Sequence, residues 1–392
     1  MRCFTALLAI FAVLVAGGIV APGPLLPVQH ANGAAIGKYI VRFKEGASRK
    51  EWVNRQGVSH AVDWPHTNGL AATLSTDALN SLRASPGVEL ISEDGIAHGS
   101  DMQMDETWGL QRISAVPQIQ NPNLPFLAYN YTYEGGCGDG VDIYILDTDA
   151  SEGVYLDHVD FEGRATWGLS VESYAQVDGN GHGTHVAGTA AGKIYGVAKQ
   201  AHIIAVKVLD DTASGSYSGI ITGLNWVIDQ VQVTGRPSIV SMSLEGSAND
   251  VFDAAVASVV SAGIHTVVAA GNDNTDAIFT SPARVPTAIT VGATDITDTR
   301  AYFSNYGSVV DVFAPGTNVL SAWIGGTTNT NILSGTSMAT PHVAGIIACL
   351  ISTEGNLTPA DFATKLQNYA VKGVLSDIPS STDNYLAHNS AL

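Results

Sequence analysis

Charged residues and cysteines are scarce in this chain, and long apolar runs are absent after the N-terminus. Only 14% of the 392 residues are charged and 45% are hydrophobic, which argues against a disordered chain or a coiled coil. Acidic residues outnumber basic ones by 36 to 18, so the formal net charge is −18. A chain this acidic is not expected to bind nucleic acid or an anionic membrane surface.

Cysteine occurs only at positions 3, 137 and 349. Cys349 lies in an apolar run, which predicts a buried free thiol, and Cys137 has no obvious partner. We therefore expect a fold that does not rely on disulfides.

The N-terminal residues have the pattern of a secretory signal peptide. Arg2 is followed by an apolar run at 4–15, small residues at 16–18 and prolines from position 22 onward. This pattern predicts a signal peptide over 1–18, with its end between 16 and 21, and an extracellular protein rather than a vacuolar one. A membrane anchor is the alternative, although the run is short for a full span.

The remaining chain divides by charge into two parts. Residues 1–101 hold eight basic and eight acidic residues, so the whole excess of negative charge lies in 102–392. The sequence pattern of residues 38–98 predicts a small unit of three strands and two helices, with Thr76 capping the second helix. A unit this small is only marginally stable alone, so we expect it to fold against the larger part.

Short β-branched runs alternate with helical patterns from about residue 105 onward. The predicted strands begin at 141, 201, 238, 266, 287 and 309, and the predicted helices cover 182–192, 217–231, 250–262 and 337–352, with a last helix starting at Thr358-Pro359. This alternation predicts an α/β fold with a mostly parallel sheet and helices on both faces. Function is then expected at the carboxyl ends of the strands.

Three polar residues stand at such strand and helix ends. Asp147 follows a predicted strand, His182 begins a glycine-punctuated helix, and Ser337 precedes an apolar helix. Each alone also fits a structural role as a cap, turn or core residue, and His182 with His185 could bind a metal. Together they supply a nucleophile, a base and the carboxylate that orients the base.

Attack by a serine creates an oxyanion that needs hydrogen-bond donors. The backbone N–H of Ser337 at a helix start is one expected donor. Asn272, which follows an apolar strand, is the expected second donor, although an Asn there could simply occupy a turn with a positive φ.

The motifs around these residues resemble those of the subtilisin-like serine peptidases, in their proteinase K-like branch. They read Asp147-Thr148, His182-Gly-Thr-His-Val-Ala-Gly-Thr189, Ala270-Gly-Asn272 and Gly335-Thr-Ser-Met-Ala-Thr-Pro-His-Val-Ala-Gly345. The resemblance covers roughly residues 105–390. It implies a secreted, monomeric serine endopeptidase in which Asp147, His182 and Ser337 form the triad and Asn272 and Ser337 form the oxyanion hole.

The same resemblance implies synthesis as a zymogen. Residues 38–100 correspond to a ferredoxin-like α+β propeptide that inhibits the peptidase domain, 101–392. Self-cleavage is expected near Ser100-Asp101, where the charge changes. The alternative is a catalytically weakened homologue that binds peptides or inhibitors.

Polypeptide substrates are expected to bind as an added strand between two backbone edges, which implies broad specificity. The edges implied by the resemblance are Ser214, Gly215, Ser216 and Tyr217 on one side and Ser243, Leu244, Glu245 and Gly246 on the other. The family has Gly where this chain has Glu245, which places a carboxylate beside the groove unless its side chain points to solvent.

A second departure follows the triad acid. The family reads Asp-Thr-Gly, whereas this chain reads Asp147-Thr-Asp149, as if residues 149–152 were inserted. We expect the insertion to bulge outward and leave Asp147 in place, and a distorted turn with lower activity is the alternative.

The resemblance also implies one structural calcium ion. Its ligands would be the carboxylate of Asp311 and the backbone carbonyls of Pro286 and Ala288, oxygen donors that suit Ca²⁺. A second family site requires an Asp at a position that is Val374 here, so we expect one site only.

Overall fold

The computed structural model describes residues 25–30, 38–56, 58, 61–64, 68–94, 100–147, 154–171, 180–210 and 212–389. The predicted signal peptide 1–18 and the insertion 149–152 lie outside the described residues. The chain divides into two compact units, residues 1–96 and 97–392, and each is described by itself.

The first unit is a βαββαβ fold. Its elements are β1 (Tyr39–Phe43), α1 (Arg49–Gln56), β2 (Val62–Trp64), β3 (Gly69–Ala72), α2 (Thr76–Arg83) and β4 (Val88–Glu93). The strands form an antiparallel sheet in the order β2-β3-β1-β4. This connectivity and strand order are those of a ferredoxin-like α+β fold.

Apolar side chains on one face of β1 and one face of α2 form the core of this unit. Val41 and Phe43 of β1 pack with Leu70 of β3 and with Ala78 and Leu82 of α2. The cap of α2 differs by one residue from the prediction, because the hydroxyl of Ser75, rather than Thr76, accepts a hydrogen bond from the backbone N–H of Ala78.

The second unit begins with a hairpin and continues as an alternation of strands and helices. Its elements are β5 (Ser100–Glu106), α3 (Trp108–Ser114), β6 (Tyr129–Glu134), β7 (Asp142–Asp147), β8 (Ala165–Ser170), α4 (His182–Ala191), β9 (His202–Lys207), α5 (Tyr217–Thr234), β10 (Ser238–Met242), β11 (Gly246–Ser247), α6 (Asp250–Ser261), β12 (His265–Ala269), β13 (Thr280–Ser281), β14 (Ile289–Thr294), β15 (Val312–Pro315), β16 (Val319–Ala322), β17 (Thr330–Leu333), α7 (Thr336–Glu354), α8 (Pro359–Tyr369), β18 (Val371–Lys372) and β19 (Tyr385–Leu386).

A sheet of nine strands, counted over the described residues, organises this unit. The strand order is β18-β19-β15-β14-β12-β10-β7-β9-β8. Pairing is parallel throughout except between β18 and β19. The predicted α/β fold with a mostly parallel sheet is therefore confirmed.

Side-chain alternation along the central strand β7 assigns the two faces of the sheet. Ile143 and Ile145 belong to the core cluster that contains α4 and α7. Tyr144 and Leu146 belong to the cluster that contains α5 and α6. Because successive side chains of a strand point to opposite faces, β7 is covered by helices on both sides. Asp147 is the last residue of this strand, at its carboxyl end.

Helix α7 is largely buried within this unit. It is the one helix in the described part of the chain that is long and apolar enough to cross a membrane, and 83% of its most apolar segment is buried inside the protein. Its length and hydrophobicity are therefore those of a core helix. Ser337 lies in its first turn.

Two cysteines expected to be unpaired form a disulfide. Cys137, in the turn before β7, is bonded to Cys349 of α7 across a sequence separation of 212 residues, with the two Cα atoms 4.2 Å apart. The prediction of a free Cys349 thiol in a fold without disulfides is wrong. The fold brings α7 against this turn. A local sequence pattern cannot predict the pairing of two cysteines that lie so far apart in the chain.

Candidate active site

The carboxylate at the end of β7 meets the imidazole at the start of α4. Asp147 is only 1% exposed, and its Oδ1 lies 2.6 Å from Nδ1 of His182. A contact this short places the proton on Nδ1, and in the neutral ring this makes Nε2 the nitrogen that can accept a proton. Asp147 thus fixes both the tautomer and the direction of the His182 ring.

The position of His182 depends on the glycine before it. Gly181 has φ 96°, a conformation that residues with a β-carbon rarely adopt. A β-carbon at Gly181 would also lie 2.6 Å from the Trp323 ring. The sequence Gly-His at this helix start therefore allows α4 to begin with its first side chain directed at Asp147.

The neighbouring histidine has a structural role. His185 is fully buried, and its Nε2 lies 3.0 Å from the carbonyl oxygen of Val319. Burial lowers the pKa of His185 to about 3, so the ring is neutral and donates to the backbone. His182 and His185 consequently do not share a metal in this arrangement.

Ser337 is held against the backbone of the strand β10 segment. Its Oγ lies 3.3 Å from the carbonyl oxygen of Ser243, and the hydroxyl of Ser243 donates to the Ser337 carbonyl at 2.8 Å. These reciprocal contacts fix the first turn of α7 next to the end of β10. The Ser337 backbone N–H lies in this first turn, where N–H groups have no partner four residues earlier in the helix and the helix dipole favours negative charge.

One cavity of about 450 Å³ contains most of the predicted site. Its lining includes His182, Ser337, Asn272, Ser214, Gly215, Tyr217, Ser243, Leu244, Glu245 and Gly246. Ser216 is the predicted edge residue that does not line it, because its hydroxyl caps α5 by accepting from the Gly219 N–H at 2.9 Å. The cavity is thus a groove lined by residues of both predicted backbone edges together with His182 and Ser337.

The Asn272 side chain is oriented by Thr336, the residue before the serine. Its Oδ1 accepts from the Thr336 backbone N–H at 2.8 Å and from the Thr336 hydroxyl at 3.1 Å. With the oxygen held in this way, Nδ2 must be the atom that faces the cavity. This is the orientation required of a side-chain donor to an oxyanion.

Asn305 is a supporting residue to which the sequence assigned no role. It is fully buried, donates to the carbonyl of Ala270 at 3.0 Å, and accepts from the backbone N–H groups of Asp273 and Thr275. These bonds hold the loop that carries Asn272. In the sequence, Asn305 is an amide residue in a polar loop segment, and neither its burial nor its hydrogen-bond partners can be predicted from that.

Glu245 lines the cavity, where its exposed side chain contacts Asn272. Its Oε2 accepts from the backbone N–H of Asn272, and its Oε1 accepts from the Asn272 side-chain amide, both at 3.1 Å. Desolvation raises the pKa of Glu245, and the Asn272 hydrogen bonds oppose that shift without cancelling it. The residue that departs from the family pattern therefore contacts the predicted oxyanion-hole donor directly.

The surroundings of Asp311 are compatible with the predicted calcium ion. Its Oδ2 accepts from the Thr290 N–H at 2.8 Å, and Oδ1 accepts from Gln367 at 3.2 Å. Burial, with a smaller contribution from Asp383, raises the pKa of Asp311 to about 6. A desolvated carboxylate near a second negative charge is a suitable oxygen ligand for a hard cation. Pro286 and Ala288, the predicted carbonyl donors, lie in the segment just before Thr290.

The chain is similar in sequence to known proteins. The sequence model of the subtilase family, Peptidase_S8, matches residues 138–388. A cuticle-degrading protease of Metarhizium anisopliae is 44% identical over 378 residues, which cover 94% of both chains. An alkaline serine protease of Corniculantispora psalliotae is 44% identical over 383 residues, covering 95% of both.

A solved structure is also similar. The crystal structure of a cold-adapted subtilisin-like serine proteinase is 41% identical, with a TM-score of 0.64, and the match covers 73% of this chain and 98% of the other. On the family match, the sequence relatives and this likeness of fold, the chain belongs to the subtilase family of subtilisin-like serine proteases.

Proposed function

We propose that this subtilase is a secreted serine endopeptidase that cleaves extended polypeptides with broad specificity and matures by self-processing. The observation that carries the proposal is the 2.6 Å contact between His182 and Asp147, beside a groove that both His182 and Ser337 line. An imidazole oriented by a buried carboxylate, beside a serine at a helix start, is the arrangement that acyl transfer requires.

In the proposed mechanism His182 is the general base. Nε2 accepts the Ser337 hydroxyl proton as Oγ forms a bond to the substrate carbonyl carbon, and the C=O π electrons move onto oxygen. His182 then donates that proton to the leaving amine as the C–N bond breaks. Water repeats the sequence on the acyl-enzyme and releases the carboxylate product. Asp147 stabilises the imidazolium in each half-reaction without taking its proton.

The oxyanion formed in each half-reaction needs two donors. The Ser337 backbone N–H and Asn272 Nδ2 are the proposed pair. Support for Asn272 comes from Thr336, which accounts for the amide oxygen and so directs the N–H₂ group to the cavity.

The substrate is proposed to lie as a strand between residues 214–217 and 243–246. Main-chain hydrogen bonds to such edges are independent of substrate sequence, so the specificity would be broad. The lining of the groove by most of these residues supports this binding mode.

Residues 38–100 are proposed to be an inhibitory propeptide, released by a cut near Ser100-Asp101. The ferredoxin-like strand order of the first unit supports this assignment. We also propose that a bound Ca²⁺ at Asp311 stabilises the mature domain, which acts as an extracellular monomer.

Purified precursor and a Ser337→Ala variant test the proposal together. The wild type should react with a fluorophosphonate and generate a new N-terminus near residue 101, whereas Ser337→Ala should do neither. A Ser337→Ala chain that matures without added protease would exclude self-processing. A wild type that fails to react with the fluorophosphonate would exclude a competent triad.

The contact of Glu245 with Asn272 favours one second candidate. A carboxylate on an oxyanion-hole donor would weaken catalysis, and the chain would then act as a peptide-binding homologue of low activity. Fluorophosphonate labelling without detectable peptide turnover is the result that would favour this alternative.

A further inference from the structure

The loop residue Asn272 directs two hydrogen-bond donors toward the groove, and one side chain accepts from both. The backbone N–H donates to Oε2 of Glu245 and Nδ2 donates to Oε1, each at 3.1 Å. Glu245 follows Leu244 just beyond the end of β10, and both Glu245 and Asn272 line the groove. The two-point contact defines the position of the carboxylate.

This contact affects catalysis because of its charge. An oxyanion hole works by presenting unpaired donors to a negative oxygen that forms only during the reaction. A carboxylate on one of these donors competes for the N–H, and its charge repels the developing oxyanion.

We propose that Glu245 is an inhibitory latch on the oxyanion hole, whose carboxylate must release the Asn272 side-chain amide before a substrate carbonyl can use it. The inference rests on the proposed function and concerns the same site. Turnover is then limited by the fraction of molecules in which Glu245 has swung away or is neutral.

A supporting role for Glu245 makes the opposite prediction. If the carboxylate merely positioned Asn272, removing it would loosen the donor and lower kcat. The structure already provides another positioning residue, since Thr336 holds the amide oxygen of Asn272 with two hydrogen bonds. Removal of the latch should therefore increase kcat.

Protonation of Glu245 provides a second way to distinguish the two roles. The titratable groups that face it are Asp273 on the Asn272 loop, together with Tyr217 and the His182–Asp147 pair around the groove. Desolvation, with a small contribution from Asp273, raises the pKa of Glu245. Because the protonated form is neutral, inhibition should be lost as pH falls through this pKa and be complete above it.

The first experiment compares kcat and KM of wild type, Glu245→Gln and Glu245→Gly on an uncharged peptide substrate. Removing one oxyanion-hole donor typically costs about 10²–10³ in kcat, so we expect at least about a tenfold rise in kcat in both variants. KM should change much less than kcat. The ratio of variant to wild-type kcat should increase with pH through the Glu245 titration and then level off.

The matched controls separate the hydrogen bond from the charge. Asp273→Asn removes an exposed carboxylate beside Asn272 that does not accept from its amide, and it should leave kcat nearly unchanged. In an Asn272→Ala background, removal of Glu245 should give no increase, because the donor on which the latch acts is gone. Thermal unfolding verifies that every variant is folded.

The outcomes distinguish failure of the latch from failure of the proposed function. Wild type that reacts with a fluorophosphonate, but has the same or higher kcat than both Glu245 variants, overturns the latch and leaves the proposed function intact. An equal increase in the Asn272→Ala background also overturns it, since the effect would then be general electrostatics. If no folded chain reacts with the fluorophosphonate, the proposed function fails and the latch with it.

Discussion

At the scale of single residues, Asn272 is held from two sides. Thr336 binds its amide oxygen, Glu245 binds its two N–H donors, and Asn305 fixes the loop on which it lies. The contacts of Thr336 and Asn305 give the side chain one orientation before any substrate arrives, which is the preorganisation that makes such donors effective, whereas the contact of Glu245 occupies the donor itself.

Asn272→Ala should consequently lower kcat without unfolding the protein. In the Glu245→Gly background, where the donor is fully accessible, we expect the loss of about 10²–10³ typical of one oxyanion donor. With Glu245 in place the loss should be smaller, because the donor is already partly occupied. Steady-state kinetics of the four combinations measures both values, and equal losses in the two backgrounds would contradict the expectation.

If Ca²⁺ binds at Asp311 as proposed, the stability of the protein should depend on calcium and on pH. Because its pKa is raised to about 6, the folded protein without metal favours the protonated carboxyl, and this contribution to stability is lost as pH rises through that value. A bound Ca²⁺ requires the ionised form and offsets the loss. Chelation should therefore lower the melting temperature more above pH 6 than below it.

The comparison is best made in the Ser337→Ala chain, which cannot digest itself. Asp311→Asn in the same chain should melt at one temperature with and without chelator. If the parent chain also melts identically in both conditions, calcium does not bind at Asp311.

At the scale of elements, β7 anchors the triad acid independently of the turn that follows it. The carbonyl of Asp147 accepts from the backbone N–H groups of Val208 and Leu209, and Asp147 is paired with Lys207 in the sheet. These contacts come from the end of the neighbouring strand β9 and the two residues after it, so we expect the position of the Asp147 carboxylate not to depend on residues 149–152.

Deletion of residues 149–152 should therefore change kcat/KM by less than about tenfold, which corresponds to about 1.4 kcal/mol of activation free energy. The deletion joins Asp147-Thr148 directly to Gly153. Kinetics at the optimum pH of each chain tests this. A deletion variant with more than a tenfold gain would show that the insertion distorts the triad.

Elements with strong local signals were the ones that the sequence predicted well. Helix α8 begins as expected, with Thr358 capping it and Pro359 in its first turn, and the central strands follow β-branched runs. Strand β8, with one buried residue followed by half-exposed ones, carried too little apolar alternation to be predicted. It forms because the edge of β9 offers it backbone partners.

The candidate site likewise combines residues that the sequence predicts with contacts that it does not predict. Asp147, His182, Asn272 and Ser337 lie in motifs that can be read directly from the sequence, and three of them line one groove. The contact of Glu245 with Asn272 joins residues 27 positions apart in the sequence, and the side-chain hydrogen bonds of Asn305 join residues 25 to 35 positions apart. Such contacts depend on the packed arrangement of loops, which local patterns do not encode.

At the scale of the whole molecule, the Cys137–Cys349 disulfide closes a loop of 212 residues that includes β7, α4 and most of the sheet. Constraining so long a loop reduces the entropy of the unfolded chain, and removing a native disulfide typically costs about 2–5 kcal/mol. Cys137→Ser in the Ser337→Ala chain should lower the free energy of unfolding by an amount in this range.

Denaturant titration measures that difference. Cys349→Ser and the double variant should match Cys137→Ser, because each breaks the same bond. A reducing agent should destabilise only the chain that contains both cysteines. Three variants as stable as the parent would mean that the bond contributes nothing to stability.

The burial of α7 also determines how this enzyme would lose its activity on heating. Ser337 lies in the first turn of a helix that packs against several strands of the sheet, so the nucleophile is displaced only when the domain opens as a whole. An opened molecule is then inert but is itself an extended polypeptide, and intact copies can cleave it. Heat inactivation should accordingly become faster as the enzyme is made more concentrated, with dilute samples outlasting concentrated ones.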